Sequence, residues 1–318
     1  MDISNNTGVK SLFGISLIAA LAGFIFGFDT VVISGANLPI KELWHTTPLF
    51  HGFFIMSMAL WGTVLGSIFG GIPTEKYGRK KVLLWIGILF SVSAIGSALA
   101  QDPYTFSFFR FMGGIGIGVS SVVAPTYISE ISTPASRGRL VAMYQFNIVF
   151  GILIAFTSNF YLQDIGENSW RWMLGIQAFP AFVYTLLVFG IPESPRWIFE
   201  YKKDRAQAIS ILKQINSDAQ AEEEIAAMEM ETAQEVKNES IFMKKYRKPL
   251  LLAFFIAFFN QLSGINAVLY YTPSIFKTAG AGVESALLQS VIIGFTMLVF
   301  TMFAMFIIDD FGRRKLMI

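Results

Sequence analysis

The chain has no cysteine. Disulfides and thiolate metal sites are therefore excluded. Histidine is nearly absent too, with only His45 and His51 in 318 residues. Both fall outside the apolar core of a span, or at its edge, where a structural role or simple exposure suits them. Charge is scarce: Asp, Glu, Lys and Arg make up 14% of the chain against 54% hydrophobic residues. A soluble domain carries about 25% charge. No cluster of metal-ligating side chains and no nucleophile–base pair stands out, which argues against an enzyme.

What the chain does have is long apolar runs. Eight stretches, at roughly 12–36, 52–73, 82–101, 103–129, 140–162, 172–191, 249–272 and 285–308, reach the length of about 20 residues needed to cross a bilayer. Within all of them only Asp29 and Arg110 are formally charged. A single soluble core does not need so many runs, so the chain reads as an all-α membrane protein. Ala20-Leu21-Ala22 looks like a signal-peptidase site, but the apolar run continues past it, and the first span reads as an uncleaved helix.

Net charge is only +2, but its placement is informative. With the N-terminus in the cytoplasm, 20 of the 24 Lys and Arg fall on the inner side. Lys41, Arg171 and Lys277 fall outside. This asymmetry sets the orientation. The basic clusters are topology anchors rather than a nucleic-acid surface. Residues 1–191 form a first bundle of six helices. A polar stretch, 192–248, reads as a cytoplasmic linker with helix-favouring composition at Ala206–Lys213 and Ala219–Val236, and residues 249–318 begin a second bundle. Glu222, Glu223 and Glu224 read as a solvated helix face.

One phrase occurs twice. Glu75-Lys76-Tyr77-Gly78-Arg79-Lys80-Lys81 follows the second span, and Asp309-Asp310-Phe311-Gly312-Arg313-Arg314-Lys315 follows the eighth. Recurrence of acid, aromatic, glycine and basic cluster after matched spans signals a duplicated fold, of the kind seen in transporters built from related halves. Six spans per half imply twelve, of which the chain carries eight. Glycines also recur four residues apart, at Gly23 and Gly27, at Gly62, Gly66 and Gly70, and at Gly114 and Gly118. That spacing lets membrane helices approach closely. The run Gly113–Gly118 superficially matches a nucleotide loop, but it lies inside an apolar span with no preceding strand, so packing is the better reading.

An ionisable side chain inside the bilayer is costly and marks function by default. Asp29 and Arg110 each lie about seven residues from the outer end of a span, so both sit roughly 10 Å deep at 1.5 Å per residue. Equal depth makes them a candidate pair. An opposite charge favours a carboxylate and burial favours the neutral acid, so the pair reads as a proton switch or as a fixed strut between two helices. Span five carries Gln145 and Asn147. Span seven carries Asn260, Gln261 and Asn266, with Tyr270 one helical turn further on the same face. Amides that donate and accept, beside aromatic rings, suit a sugar; they serve equally as interhelical hydrogen bonds. Glu75 and Arg79, Glu130 with Arg137 and Arg139, and Glu193 with Arg196 all fall at the inner ends of spans. There they form either ion pairs that break and remake or a static surface network.

With these residues in view, the chain resembles the sugar porters of the major facilitator superfamily. The resemblance rests on Gly27 through Gly35, Gly71 through Lys80, Glu130 through Arg139, Pro192-Glu193-Ser194-Pro195-Arg196-Trp197, and Gln261 through Tyr271, in the family's order. It implies two six-helix bundles around a central sugar site with alternating access, and a C-terminally truncated second bundle here. It assigns proton coupling to Asp29 and Arg110. Sugar binding falls to Gln145, Gln261, Asn266 and Tyr270, with Asn260 beside them and Tyr271 as a gate. Facilitative members have an amide at the Asp29 position, so the acid favours symport. A cytoplasmic charge network would comprise Glu75, Arg79, Glu130, Arg137, Glu193, Arg196, Asp309 and Arg313. No cofactor is implied beyond the proton as coupling ion. The partners are a small-molecule sugar and the lipid bilayer of the cell membrane, and a monomer is expected. A facilitative uniporter, a non-transporting sugar sensor and an inactive fragment are the alternatives. The chain departs from the family at Asn260, where glutamine is usual, at Met297, where a sugar-contacting asparagine is common and Thr296 is the nearest polar residue, and at Glu75, where aspartate is common.

Overall fold

The computed structural model describes residues 5–134, 136–233 and 243–311, with side chains over 12–134, 136–230 and 243–307. Eight helical segments are long and apolar enough to cross a membrane. The first six are α1 (Asn5–Leu43), α2 (Pro48–Phe69), α3 (Arg79–Leu99), α4 (Pro103–Ile131), α5 (Arg137–Leu162) and α6 (Ser169–Phe189). Two more polar helices follow, α7 (Arg205–Ile215) and α8 (Asp218–Ala233). The seventh span is broken into α9 (Arg247–Leu262) and α10 (Ile265–Thr278), and the eighth is α11 (Val283–Phe311). Arg313 lies outside the described residues, and of Asp309 only the helical backbone is described.

The glycine spacing decides which helices touch. α1 packs most closely on α5, and α2 on α4. A Cβ at Gly23 would sit 2.6 Å from the Tyr144 carbonyl, and one at Gly27 would strike the Ile148 carbonyl. Across the other pair, Gly62 and Gly66 lie on the Phe111 and Ile115 carbonyls, while Gly114 and Gly118 lie on Ala59 and Thr63. Close backbone approach of this kind is what small residues at four-residue spacing permit. The Gly113–Gly118 run is helical throughout and packs, as its setting implied.

Helix ends follow local chemistry. Asp102 caps α4: its Oδ1 accepts the Tyr104 and Thr105 N–H groups at 2.9 Å each, and Pro103 occupies the first helical position. The Thr105 hydroxyl and backbone N–H hold the Asp102 carboxyl below its ordinary value. Arg171 lies in the first turn of α6 and donates to the Ala98 and Ala100 carbonyls at 2.7 and 2.6 Å, which satisfies the exposed end of α3. Gly78 separates a short helix, Gly71–Tyr77, from α3 at φ 94°, a conformation that favours glycine. A Cβ there would also run into the Glu193 carboxylate.

Two apolar clusters fill the six-helix bundle. One, near the basic end, gathers residues such as Phe90, Tyr127, Tyr144 and Tyr184. The other, toward the opposite end, includes Phe28, Phe106 and Trp170 together with Leu269 and Tyr270 of α10. α10 thus packs on α1, and α11 on α5. α9 has no buried residue, and its stretch 249–259 is apolar on all sides, the composition of a helix meant for lipid or for other helices. A third cluster seats α7 and α8 against Trp197 and Ile198. Glu224 departs from the expected solvated face. It is partly buried, Asn216 donates to it at 3.4 Å, and burial raises its carboxyl to about 7.

Candidate functional site

Asp29 on α1 and Arg110 on α4 meet in the interior. Arg110 Nη1 donates to Asp29 Oδ1 at 2.7 Å, and Nη2 to the Asp29 carbonyl at 3.1 Å. The side chains are 0% and 2% exposed. The pair is nonetheless incompletely satisfied: among the described residues, Asp29 Oδ2 and Arg110 Nε have no hydrogen-bond partner. Burial of an unpartnered charged atom is expensive, so a group able to meet Oδ2 gains strongly from doing so. A Cβ at Gly113 would strike Ser93 and lie 3.8 Å from Asp29 Oδ1, so glycine lets α4 approach Ser93 of α3 beside the pair. Tyr270 of α10 is buried in the apolar cluster that also holds Phe28, the residue before Asp29.

The amides divide into two groups. Asn266 Nδ2 donates to Gln261 Oε1 at 2.9 Å across the break in the seventh span. Gly264 makes that break at φ 74°, and Ser263 Oγ donates to the Asn260 carbonyl at 2.6 Å. Asn260, Gln261 and Gln145 are exposed, and Asn266 is half-buried. Among the described residues, no hydrogen bond joins Gln145 to the span-seven amides. Asn147 instead points back to the Met143 carbonyl at 2.8 Å, an intrahelical bond. Tyr271 is partly buried against the second cluster, as is Met297, and Thr296 bonds its own helix at the Ile292 carbonyl, 2.8 Å.

At the basic end, Arg79 grips Glu130 with Nη2–Oε1 at 2.7 Å and Nε–Oε2 at 2.9 Å. Ser194 Oγ donates to the same carboxylate at 2.6 Å, and Arg79 Nη1 to the Thr74 carbonyl at 3.3 Å. Glu193 accepts from the backbone N–H of Lys80 and of Ser194, both 2.9 Å. The Trp197 indole donates to the Glu75 carbonyl at 2.6 Å, and the Glu75 carboxylate lies beside the Tyr201 hydroxyl. Two residues of the expected network sit apart from this cluster. Arg137 is exposed and faces Glu224 on α8, and Arg196 pairs with Glu200 at 2.8 Å one turn along its own helix.

The family profile described as "Sugar (and other) transporter" matches residues 15–318. The chain belongs to this sugar transporter family, within the major facilitator superfamily. It is 37% identical over 311 residues to the arabinose-proton symporter of Bacillus subtilis, covering 95% of this chain and 67% of the relative. It is 33% identical over 347 residues to the D-xylose-proton symporter of Escherichia coli K12, covering 96% and 69%. Among solved structures it is similar to a partially occluded, inward-open conformation of the xylose transporter XylE from E. coli, with TM-score 0.85 and 30% identity over 96% of this chain and 75% of that one. As a sugar transporter the protein is a multi-pass membrane protein and not an enzyme.

Four polar residues carried no role in the sequence of this transporter. Ser194 completes the Glu130 site, and its motif was visible although its role was not. Asn37, His51 and Ser274 are joined by hydrogen bonds but share no sequence signal, because they come from three helices and meet only in the folded chain.

Proposed function

We propose that the transporter moves a monosaccharide, a pentose or hexose, into the cell with protons by alternating access, with its N-terminus in the cytoplasm. The observation that carries this reading is the buried Asp29–Arg110 pair, whose carboxylate keeps one oxygen unpartnered among the described residues. A proton on Asp29 removes the charge that holds Arg110. The guanidinium, without its counter-charge, then needs another partner, and α1 and α4 lose the charged part of their tie while the Asp29 carbonyl bond remains. A buried site with two such arrangements converts a proton gradient into a helix movement. The relatives named for arabinose-proton and xylose-proton symport support the coupling, as does an acid where an amide would serve a facilitative carrier.

Sugar recognition falls to Gln261 and Asn266, already bonded to each other at the hinge of the seventh span, with Gln145, Asn260 and Tyr270 around them. Exposed amides keep donors and acceptors available to hydroxyls. The Arg79–Glu130–Ser194 cluster ties α3, α4 and the segment after α6 together at the end that the basic residues place in the cytoplasm.

The test is uptake in vesicles by the full-length product of the gene. Asp29→Asn should abolish accumulation against a gradient while exchange of labelled sugar across the membrane persists. Accumulation unchanged by the substitution rejects proton coupling through this residue and leaves a fixed strut. Competition by xylose, arabinose, glucose, galactose and inositol then names the sugar.

A further inference from the structure

At the end of the bundle opposite the basic clusters, a cleft of about 430 Å³ lies between α3 and α4. Val92, Ile95 and Leu99 of α3 form one wall, and Phe109 of α4 the other. Gly96 makes the room: a Cβ there would run into the Phe109 ring. Val92, Ile95 and Leu99 are exposed, since α10 and α11 dock on α1 and α5 instead. From Val92 to Leu99 the cleft runs about 10 Å along the helix. Both walls belong to membrane spans, so the medium that meets the cleft is the hydrocarbon of the bilayer.

The mouth of the cleft is polar and carries charge of one sign. The turn Ala100-Gln101-Asp102 closes its end, with Thr105 beside it in the first turn of α4. Asp102 Oδ1 accepts two backbone N–H groups at 2.9 Å, and Oδ2 accepts the Thr105 hydroxyl at 2.6 Å. A carboxylate offers about four lone-pair sites. Three are in use, and the fourth, on Oδ2, is left for a donor. The same bonds keep Asp102 ionised. Among the described residues, no Lys, Arg or His lines the cleft. Arg171, which reaches this turn from α6, gives Nη1 to the Ala98 and Ala100 carbonyls and lies 4.3 Å from the centre of the Trp170 ring.

We propose that the cleft between α3 and α4 holds an acyl chain of a phospholipid whose head group carries a primary ammonium, and that this ammonium donates to Asp102 Oδ2. The apolar walls accept hydrocarbon of any kind; the carboxylate selects the head group. A primary ammonium brings both the opposite charge and N–H donors, the combination that makes a strong hydrogen bond. A trimethylated ammonium brings the charge without a donor, and an anionic head group meets a like charge. Bonds to its own helix hold the carboxylate in place beforehand, so little freedom is lost on binding. The orientation proposed above puts the mouth at the outer leaflet. Lipid binding here needs no transport, so it stands whether or not the chain carries sugar.

The test is lipid retention. The full chain, purified in detergent, is incubated with equimolar phosphatidylethanolamine, phosphatidylcholine and phosphatidylglycerol of the same acyl chains. Native mass spectrometry then reads the lipid held per chain. The ethanolamine lipid should be retained about threefold to tenfold over each of the others, the effect of one charge-assisted hydrogen bond at a partly exposed site. Asp102→Asn keeps the helix cap and should bring that preference within about twofold. Ile95→Trp fills the cleft from an exposed position and should lower retention of all three lipids. Leu186→Trp, similarly exposed on α6 but outside the cleft, should not. Equal retention of the three lipids by the parent overturns the proposal, and so does a preference that survives Asp102→Asn. Equal effects of Ile95→Trp and Leu186→Trp overturn the cleft as the place of binding. Sugar uptake measured alongside keeps the two proposals apart: no uptake with the lipid preference intact refutes transport and leaves the lipid site standing.

Discussion

The Asp29–Arg110 pair and the Arg79–Glu130 pair are both nearly free of solvent, yet their polar atoms are accounted for differently. Glu130 accepts from two nitrogens of Arg79 and from Ser194, and Arg79 has a further bond to the Thr74 carbonyl. No buried side-chain atom of either residue lacks a partner. Among the described residues, Asp29 and Arg110 leave Oδ2 and Nε unpartnered. A buried ion pair repays its desolvation only when the remaining lone pairs and protons are met. The basic-end pair is finished as a clamp. The interior pair is left open, and an open pair has somewhere to go when its charge changes. On the proposed coupling, the contrast separates a pair that holds the fold from one that responds to a proton.

The comparison breaks most sharply at Asp29. Asp29→Asn is predicted to reduce the accumulation ratio of labelled sugar to unity in energised vesicles, while Glu130→Gln in the same assay retains uphill accumulation wherever the protein folds. Loss of accumulation in both would erase the distinction drawn between them. Glu130→Gln should instead show in stability. It leaves Arg79 buried without its counter-charge, at a cost of about 3 kcal/mol, visible as a lowered melting temperature in detergent. Ser194→Ala removes one hydrogen bond to the same carboxylate and should cost about 1–2 kcal/mol by the same melt. An unchanged midpoint would mean that Ser194 is a bystander.

The smallest effect concerns the linker. Burial raises the Glu224 carboxyl from 4.5 to about 7, with Arg137 opposing and Glu223 reinforcing. Between those values the folded state holds a proton that the unfolded state has lost, so stability falls as pH rises through that window and the loss is complete above it. Amide exchange within α8, corrected for the intrinsic rate, should therefore be faster at about pH 8 than at about pH 5. Glu224→Gln should remove the difference; a difference that survives the substitution belongs to another group.

Much of this is legible in the sequence. The eight spans follow from apolar length, which depends only on the bilayer's thickness and the rise of a helix. The equal depth of Asp29 and Arg110 followed from counting residues, and the glycine spacing marked faces that do approach closely. Other features were not legible. Arg137 lies among charges at the inner ends of the spans, like Arg79, but α8 brings Glu224 to it while Glu130 goes to Arg79. Glu224 belongs to a run of three glutamates indistinguishable by composition, and the packing of α7 and α8 on Trp197 buries one of them. Gln145 and the span-seven amides have the same chemistry, yet only Gln261 and Asn266 meet, because the break at Gly264 folds one toward the other.

The sequence by itself determined that this chain crosses a membrane repeatedly, which end is basic, where the duplicated phrase falls and which two charges lie at the same depth. These are properties of composition and of spacing along one helix, where each residue's position follows from its number. Tertiary structure alone decided which polar atoms were met and which were left open. Asn37 has its partners on α2 and α10, Glu130 has its third on the segment beyond α6, and Asp29 Oδ2 has none. Hydrogen bonds reach only about 3 Å, so whether a buried group is satisfied depends on the docking of helices that are remote in sequence, and no local pattern records it.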